Sequence, residues 1–437
     1  MKYYFIGIKG SGMSTLANIL HDLGHSVIGY DDSTGYKFTM EGLEKRGIEI
    51  YTGENYPELS SDTVVTYTAA INESHHEVSR VKELGLEVVP YQTLMGMLTK
   101  NKETTCVCGT HGKTSTSLMI ANILHNSLGC SYFVGDGSGY GNKDSNLLVM
   151  ESCEYNRHFL SYYPHNTVIT NIELDHTETY PNIEVMINAY QEFCNKTENF
   201  IVACGDDLNI RTLTSDKKIY YYGFKENNDL IVKNRLVLNG KTCFDVYYNN
   251  NLFDHYEVNL FGDHMIQDML AAIMIGILYD VSKDIIKNTL EKFQPAKRRF
   301  NEIIVKDNVV VDDYAHHPTE IKVTYDAAHQ KYPNKEIIAI FLPNTYSRTM
   351  DLFDDFCSAL SLYDKAYLMD ISCDRERKED YPFISSEKIT QNVLNSEMIS
   401  LETIDKLKKH HNSVLCFMSC ANISKMINKY LEINNEE

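Results

Sequence analysis

The chain has 437 residues, 43% of them hydrophobic and 23% charged, with a formal net charge of −19. That length supports two to four domains with full cores, and the acidic balance opposes approach to a polyanion, which excludes nucleic-acid wrapping and an acidic membrane surface while leaving small anions open at local sites. Eleven cysteines, several in apolar runs (Cys106, Cys108, Cys204, Cys416), read as reduced packing thiols; with no apolar run near the roughly 18 residues of a membrane span and no export signal, the expectation is a cytoplasmic protein without membrane insertion.

The first hundred residues alternate apolar runs with helical periods. Strands are expected over 3–8, 26–30 and 64–68, with helices over 13–23 and 38–46, an α/β layout with a parallel sheet. Between the first strand and helix lies Gly7-Ile8-Lys9-Gly10-Ser11-Gly12-Met13-Ser14, and Asp31 follows about twenty residues on, at the end of the next strand. The pattern resembles a dinucleotide-binding turn with altered glycine spacing, in which backbone N–H groups approach a diphosphate at a helix N-terminus. A plain close-packed turn would give the same pattern.

The polar run 99–103 reads as a linker. The apolar run 104–108 then leads into Gly109-Thr110-His111-Gly112-Lys113-Thr114-Ser115 and a helix-like stretch from 117. Strand, phosphate loop and helix in that order place Lys113 on the β/γ-phosphates and the Thr114 hydroxyl on Mg²⁺. Because Val107 stands where the usual loop has its first glycine, this is a shortened variant, and a tight turn with an exposed lysine is the competing reading. Two phosphate loops in succession suit a nucleotide-linked substrate plus ATP better than a dehydrogenase.

Further on, the apolar strand 147–150 ends in Glu151, and the strand 167–170 ends in Asn171-Ile172-Glu173-Leu174-Asp175-His176. Functional residues of open α/β sheets gather beyond the carboxyl ends of strands, so Glu151 and His176 are expected to converge on Lys113 and Thr114. Residues 229–259 read as β-hairpins around Asn239-Gly240 and Asn249-Asn250-Asn251, and helical periods return over 264–278 and 285–293. A third α/β unit follows from Asn301, with strands at 309–311, 337–341, 366–369 and 414–418. Arg298-Arg299 stands at its entrance, where it could reach a γ-phosphate when domains close, and a solvated basic turn explains the pair equally well. Asp312-Asp313-Tyr314-Ala315-His316-His317-Pro318-Thr319-Glu320 follows a strand and precedes a helix. Its paired histidines lack a third ligand spaced for zinc, and a proline-started helix cap explains the string equally well.

Taken in order, the segments 7–14, 109–115, 170–176, 298–299 and 312–320 resemble the Mur ligases, and within them the branch that joins L-alanine to UDP-N-acetylmuramate. Glu151-Ser152-Cys153-Glu154, Gly135-Asp136-Gly137 and Lys297-Arg298-Arg299-Phe300-Asn301-Glu302 resemble the form found in low-GC Gram-positive bacteria. The resemblance implies a three-domain α/β protein: a Rossmann-like UDP-sugar domain over 1–98, a central P-loop ATPase domain with a small antiparallel β appendage over 99–297, and a Rossmann-like amino-acid-receiving domain over 298–437. It also implies an acyl-phosphate reaction yielding ADP and phosphate.

By the same resemblance, Lys113, Glu151, His176 and Arg299 are catalytic. ATP would meet Gly109, Thr110, His111, Gly112, Lys113, Thr114, Ser115, Asp268, Arg299 and Asp313, while Thr114, Glu151 and His176 hold Mg²⁺. UDP would meet Gly10, Ser11, Gly12, Met13, Ser14 and Asp31, and the amino acid Arg348, His316 and Asn344. No lysine occurs between Lys143 and Lys196, so the carbamylated lysine of other branches is absent. Three places depart from the family pattern: His264-Met265-Ile266-Gln267-Asp268 at the adenine, Leu342-Pro343-Asn344 before the amino-acid arginine, and Ser419-Cys420-Ala421-Asn422 near the C-terminus. The implied partners are UDP-N-acetylmuramate, ATP and L-alanine, with no nucleic acid, in a monomer or homodimer. Two alternatives stay open: a paralogue joining another amino acid or a recycled peptide, and a non-catalytic binder of UDP-muramate.

Overall fold

A computed structural model describes residues 1–68, 70–373 and 376–435, and the α/β expectation holds throughout it. Near the N-terminus, five parallel strands lie in the spatial order Glu49–Tyr51, Ser26–Tyr30, Lys2–Ile6, Thr63–Tyr67, Glu87–Val88. Lys2–Ile6 is flanked on both sides, Lys2 pairing with Ser26 and with Thr63. Its sequence is accordingly apolar on both faces rather than alternating, as a parallel strand covered on both sides requires. The order reverses beside this strand, and the glycine loop leaves its carboxyl end, where α/β sheets bind ligands.

The central sheet has ten strands, built on Lys218–Gly223, Phe200–Cys204, Asn166–Ile169, Glu103–Cys108, Leu147–Glu151 and Ser131–Phe133, all parallel. Cys106 and Cys108 are both fully buried on the Glu103–Cys108 strand, and all eleven cysteines are free thiols. The predicted hairpins are present over Leu230–Leu238, Lys241–Tyr248 and Asn251–Val258. Asn239, Gly240, Asn249 and Asn250 take the positive φ angles (52°, 73°, 48°, 65°) that tight hairpin turns need. They form the expected small antiparallel appendage of the central unit. Leu230 and Ile231 pair in parallel with Tyr222 and Gly223, so the hairpins continue the central sheet.

The predicted linker is also shorter than its polarity implied. Thr99 and Lys100 end the helix Tyr91–Lys100, and Glu103 already opens the next strand. Buried Thr99 donates to the Gly96 carbonyl (2.8 Å) and accepts from the Tyr163 N–H (3.1 Å), so its hydroxyl is satisfied inside the helix-to-sheet packing. A third sheet runs Asn301–Val305, Asn308–Asp313, Ser413–Met418, Glu336–Phe341, Lys365–Leu368, Ser396–Met398, antiparallel only at its first pair.

One buried apolar cluster joins the first sheet to the central one, whereas the third sheet carries its own clusters on its two faces. Among the described residues the junction between central and third units is bridged by charged and hydrogen-bonded side chains. Such an interface opens more readily than an apolar one. No helix among the described residues is long and apolar enough to cross a membrane.

Candidate functional site

The phosphate loop is fixed by two glycines. Gly109 has φ +139°, and a Cβ there would come within 1.9 Å of Thr170 Oγ1; Gly112 has φ +79°, and a Cβ would meet Asp268 Oδ1 at 2.5 Å. Between them the His111 N–H donates to Asn171 Oδ1 (2.8 Å), while Thr170 Oγ1 and Asn171 Nδ2 donate to the His111 carbonyl (2.5 and 3.0 Å). The helix Lys113–Ser127 starts at Gly112 with no side-chain cap, which leaves its first N–H groups for an anion.

Lys113 folds back over this loop. Its Nζ donates to the Gly109 and Thr110 carbonyls (2.5 and 2.9 Å) and to Glu154 Oε1 (3.1 Å). Burial disfavours the ammonium, yet the charges of Glu154 and its neighbour Glu151 and the hydrogen bond to Glu154 together outweigh it and hold the pKa above that of an ordinary lysine. Glu154 itself is 1% exposed. Beside it Thr114 Oγ1 donates to Glu151 Oε1 (3.0 Å) and the Gly135 N–H to Glu151 Oε2 (2.7 Å). His176 sits at φ +54° with Nε2 3.9 Å from Glu154 Oε1, and Thr114, Glu151 and His176 line one cavity.

Two cavities meet at the loop. One, about 520 Å³, is walled by Tyr222, Asn259, His264, Asp268, Asp313 and Lys331 among others. The other, about 1110 Å³, is walled by Ser11, Glu151, Cys153, His176, Arg298 and Tyr314 among others. His111, Gly112, Thr114, Arg299 and Glu320 line both. Any group bound at the loop is therefore reachable from either cavity, with Arg299 at the point of meeting.

Asp268 and Asp313 form part of the smaller cavity's wall. Thr116 Oγ1 donates to Asp268 Oδ1 (3.0 Å), and burial pushes the Asp268 carboxyl up to about 7. Burial likewise pushes Asp313 up to about 6, although the Phe300 and Ala315 N–H groups donate to it (3.1 and 2.9 Å). For a carboxyl whose folded pKa is raised, stability is greatest below the unfolded value near 4 and falls as pH rises towards the folded value. Asp268→Asn should therefore raise the melting temperature more at pH 8 than at pH 5. Equal shifts at both pH values in thermal unfolding would contradict the buried-carboxyl assignment.

The first glycine loop is built differently from its motif's simplest reading. Gly7 turns at φ +82°, Gly10 precedes the helix Ser11–Asp22, and Ser11 Oγ donates to the Gly135 carbonyl of the central unit (2.8 Å). Of the six residues expected at UDP, only Ser11 lines the larger cavity. A Cβ at Gly12 would meet the Tyr91 hydroxyl, and Met13 and Ser14 are buried because the helical period turns them onto the sheet. Asp31 is buried too; its Oδ2 accepts from the Lys9 N–H (2.9 Å) and its Oδ1 from the Ser33 N–H (3.1 Å), bracing the loop.

Mur ligase descriptions match the chain three times: the family's catalytic domain over residues 2–103, its middle domain over 107–276 and its glutamate ligase domain over 298–415. The chain belongs to the Mur ligase family. It is an ATP-dependent ligase of the group that builds peptidoglycan precursors. Among solved structures it is similar over its whole length to the UDP-N-acetylmuramate–alanine ligase MurC of Thermotoga maritima (22% identity, 100% of this chain and 99% of that one, TM-score 0.78). It is similar also to a murein peptide ligase of Psychrobacter arcticus (20%, 100% and 99%, 0.68) and a pseudomurein peptide ligase type C of Methanothermus fervidus (16%, 99% and 99%, 0.69).

Mur ligases typically use Mg²⁺. The residues fit that ion: the Thr114 hydroxyl and the Glu151 and Glu154 carboxylates cluster at the phosphate loop with His176 beside them, and a set dominated by hard oxygen donors beside a phosphate is what Mg²⁺ takes. In this Mur ligase the third unit contributes Arg348, whose Nε and Nη2 donate to Asp175 Oδ1 of the central unit (3.1 and 2.9 Å). His316 lines the larger cavity with Nδ1 3.0 Å from Glu320 Oε2. Asn344 is turned elsewhere, donating through Nδ2 to the Ser372 carbonyl (3.1 Å), and does not line that cavity.

Four acidic residues escaped the sequence-based site assignment: Glu154, Glu173, Asp175 and Glu320. His111 links two of them, its Nε2 3.3 Å from Glu173 Oε2 and its Nδ1 3.3 Å from Glu320 Oε1. Burial disfavours charge on His111, but these carboxylates hold its pKa up to about 9. The signal that could have revealed Glu320 is local, since it stands at the third position of a capping box whose N-cap is His317.

Proposed function

We propose that this Mur ligase joins L-alanine to the lactyl carboxylate of UDP-N-acetylmuramate at the expense of ATP, in the cytoplasm, as a monomer or homodimer. The meeting of two cavities at one phosphate loop carries the reading: it suits a nucleoside triphosphate on the Asp268 side and a nucleotide sugar on the Ser11 side. The carboxylate attacks the γ-phosphorus, the β–γ bond breaks, and ADP leaves an acyl phosphate. The uncharged alanine amine then attacks the acyl carbon, and phosphate departs as the amide forms.

Both steps move negative charge across the loop. Lys113, the free N–H groups at the start of the helix Lys113–Ser127, and Arg299 are positioned to stabilise it, each worth about 2.7–4 kcal/mol where water is excluded. Mg²⁺ held by Thr114, Glu151 and His176 would neutralise phosphate charge. Gly10, Gly12 and Asp31 support the UDP loop, and Arg348 with His316 receives the amino-acid carboxylate.

Phosphate release with ATP, Mg²⁺ and UDP-N-acetylmuramate, measured across all amino acids, tests this. L-Alanine should give the fastest release. Release with glycine or serine but not alanine, or only with a peptide, points to a paralogous ligase, and no release with any acceptor points to a non-catalytic binder.

A further inference from the structure

His111 and His317 come from different units, yet their rings lie 4.7 Å apart; His317 Nε2 is buried without a hydrogen-bond partner, and His111 Nε2 is buried with the Glu173 carboxylate as its charged neighbour. Between them stands Glu173, with Oε2 3.3 Å from His111 Nε2 and 3.9 Å from His317 Nδ1. One donor atom from each residue lies within 4.8 Å of the other two. A tetrahedral zinc ion with bonds of about 2.0–2.2 Å sets its ligands about 3.3–3.6 Å apart, so these donors need only small movements to close on one.

The surroundings match such an ion. Buried Glu320 lies 3.3 Å from His111 Nδ1, the carboxylate–histidine arrangement that directs the other ring nitrogen at a metal. The same carboxylate accepts from the His316 and His317 N–H groups (2.9 and 3.1 Å), so its position is fixed. The second histidine pair of the molecule lacks this character. His75 and Asp32 already share a 2.9 Å hydrogen bond, the His76 ring meets the Tyr30 hydroxyl at 3.0 Å, and Asp32 and His76 are exposed.

We propose that His111, Glu173 and His317 form a transition-metal site, suited to Zn²⁺, that clamps the central unit to the third one with a fourth position open. The site is distinct from the Mg²⁺ corner at Thr114 and Glu151. Two imidazoles among three donors favour zinc, whereas the Mg²⁺ corner is mainly oxygen, a hydroxyl and carboxylates with one imidazole, so the two ions sort by the balance of donors. Thr319 Oγ1 donates to Glu173 Oε2 (2.6 Å) and keeps the carboxylate in place.

The test uses Co²⁺ as the spectroscopic probe, on the full chain with Mg²⁺ in excess. One equivalent should give the visible absorption of a four-coordinate ion, raise the melting temperature, and be displaced by Zn²⁺. His317→Asn, which keeps a helix-capping side chain, and Glu173→Gln should each weaken binding at least tenfold and remove the melting shift. Glu320→Gln should weaken it about 10–100-fold. His76→Gln should change nothing. His111 must shed its proton to bind, so affinity should climb between pH 7 and 9. Absence of the absorption, its survival in both His317→Asn and Glu173→Gln, or its loss in His76→Gln would overturn the proposal.

Discussion

Replacing Lys113 by alanine should lower turnover at least about 10²–10³-fold, the loss typical of removing one preorganised charge-stabilising donor, while leaving affinity for UDP-N-acetylmuramate within a few-fold of the parent. Lys113 lines the larger cavity, but its ammonium is held by the loop carbonyls and Glu154 and donates to no residue of the unit that carries Ser11. The substitution also removes the partner of a carboxylate that is 1% exposed. Breaking a buried pair from one side costs about 3–5 kcal/mol, because the remaining charge is stranded. Lys113→Ala should therefore melt well below the parent, and Lys113→Ala combined with Glu154→Ala should melt above the single variant while staying inactive. Recovery of stability without recovery of turnover separates the two roles of Lys113. Isothermal titration with UDP-N-acetylmuramate completes the test, and parallel loss of sugar binding and turnover contradicts separate sites in the two cavities.

The parts of this site that are written locally were legible from the chain alone. Gly109 and Gly112 stand where the backbone takes positive φ, Glu151 closes the apolar strand Leu147–Glu151, and His176 lies in the segment that follows the strand Asn166–Ile169. Hairpins at Asn239-Gly240 and Asn249-Asn250 were visible for the same reason, since each turn dictates its residues. Short strands such as Glu49–Tyr51 and Glu87–Val88 carry too few residues to show a period. Glu154 was hidden because it precedes an irregular segment in which Asn156 and Arg157 take left-handed angles (φ 49° and 58°), so no helical or strand spacing ties it to Lys113.

Contacts between units were hidden for a different reason. His111, Glu173 and Glu320 are separated by 62 and 147 residues, and nothing in the spacing of one loop constrains its neighbour from another sheet. The expected roles of Met13 and Ser14 show the converse limit. A motif places residues near a ligand only until the helix that follows turns them, here onto the core. Asn344 was read as part of an amino-acid pocket from its position before Arg348, but its Nδ2 donates to the Ser372 carbonyl and the residue does not line the larger cavity.

Arg348 carries the second large expected effect. A guanidinium has five N–H donors in a rigid fork, and two of its nitrogens, Nε and Nη2, already face Asp175 Oδ1. The Nη1 edge and one N–H of Nη2 remain to meet a substrate carboxylate, so Asp175 orients the fork without exhausting it. Hydrogen bonds to charged groups contribute about 1.5–3 kcal/mol each. Arg348→Ala, which forfeits two such bonds to the amino acid, should raise its KM about 100-fold or more, with the KM for ATP changed by less than a few-fold. Arg348→Lys keeps the charge but not the fork, and should fall between.

The pH dependence separates this pair from its neighbours. Burial opposes the Asp175 charge, but Arg348 holds its carboxyl well below the usual carboxylate range. A depressed carboxyl contributes stability that is full above the unfolded value near 4 and is lost only as pH falls through the folded value, so the pair stays intact from pH 6 to 9. Any change in amino-acid KM over that window in the parent enzyme should therefore persist in Asp175→Asn. If the amino-acid KM of Arg348→Ala equals that of the parent across the whole panel, the carboxylate site lies elsewhere, and the Arg348–Asp175 contact is a clasp between units and nothing more.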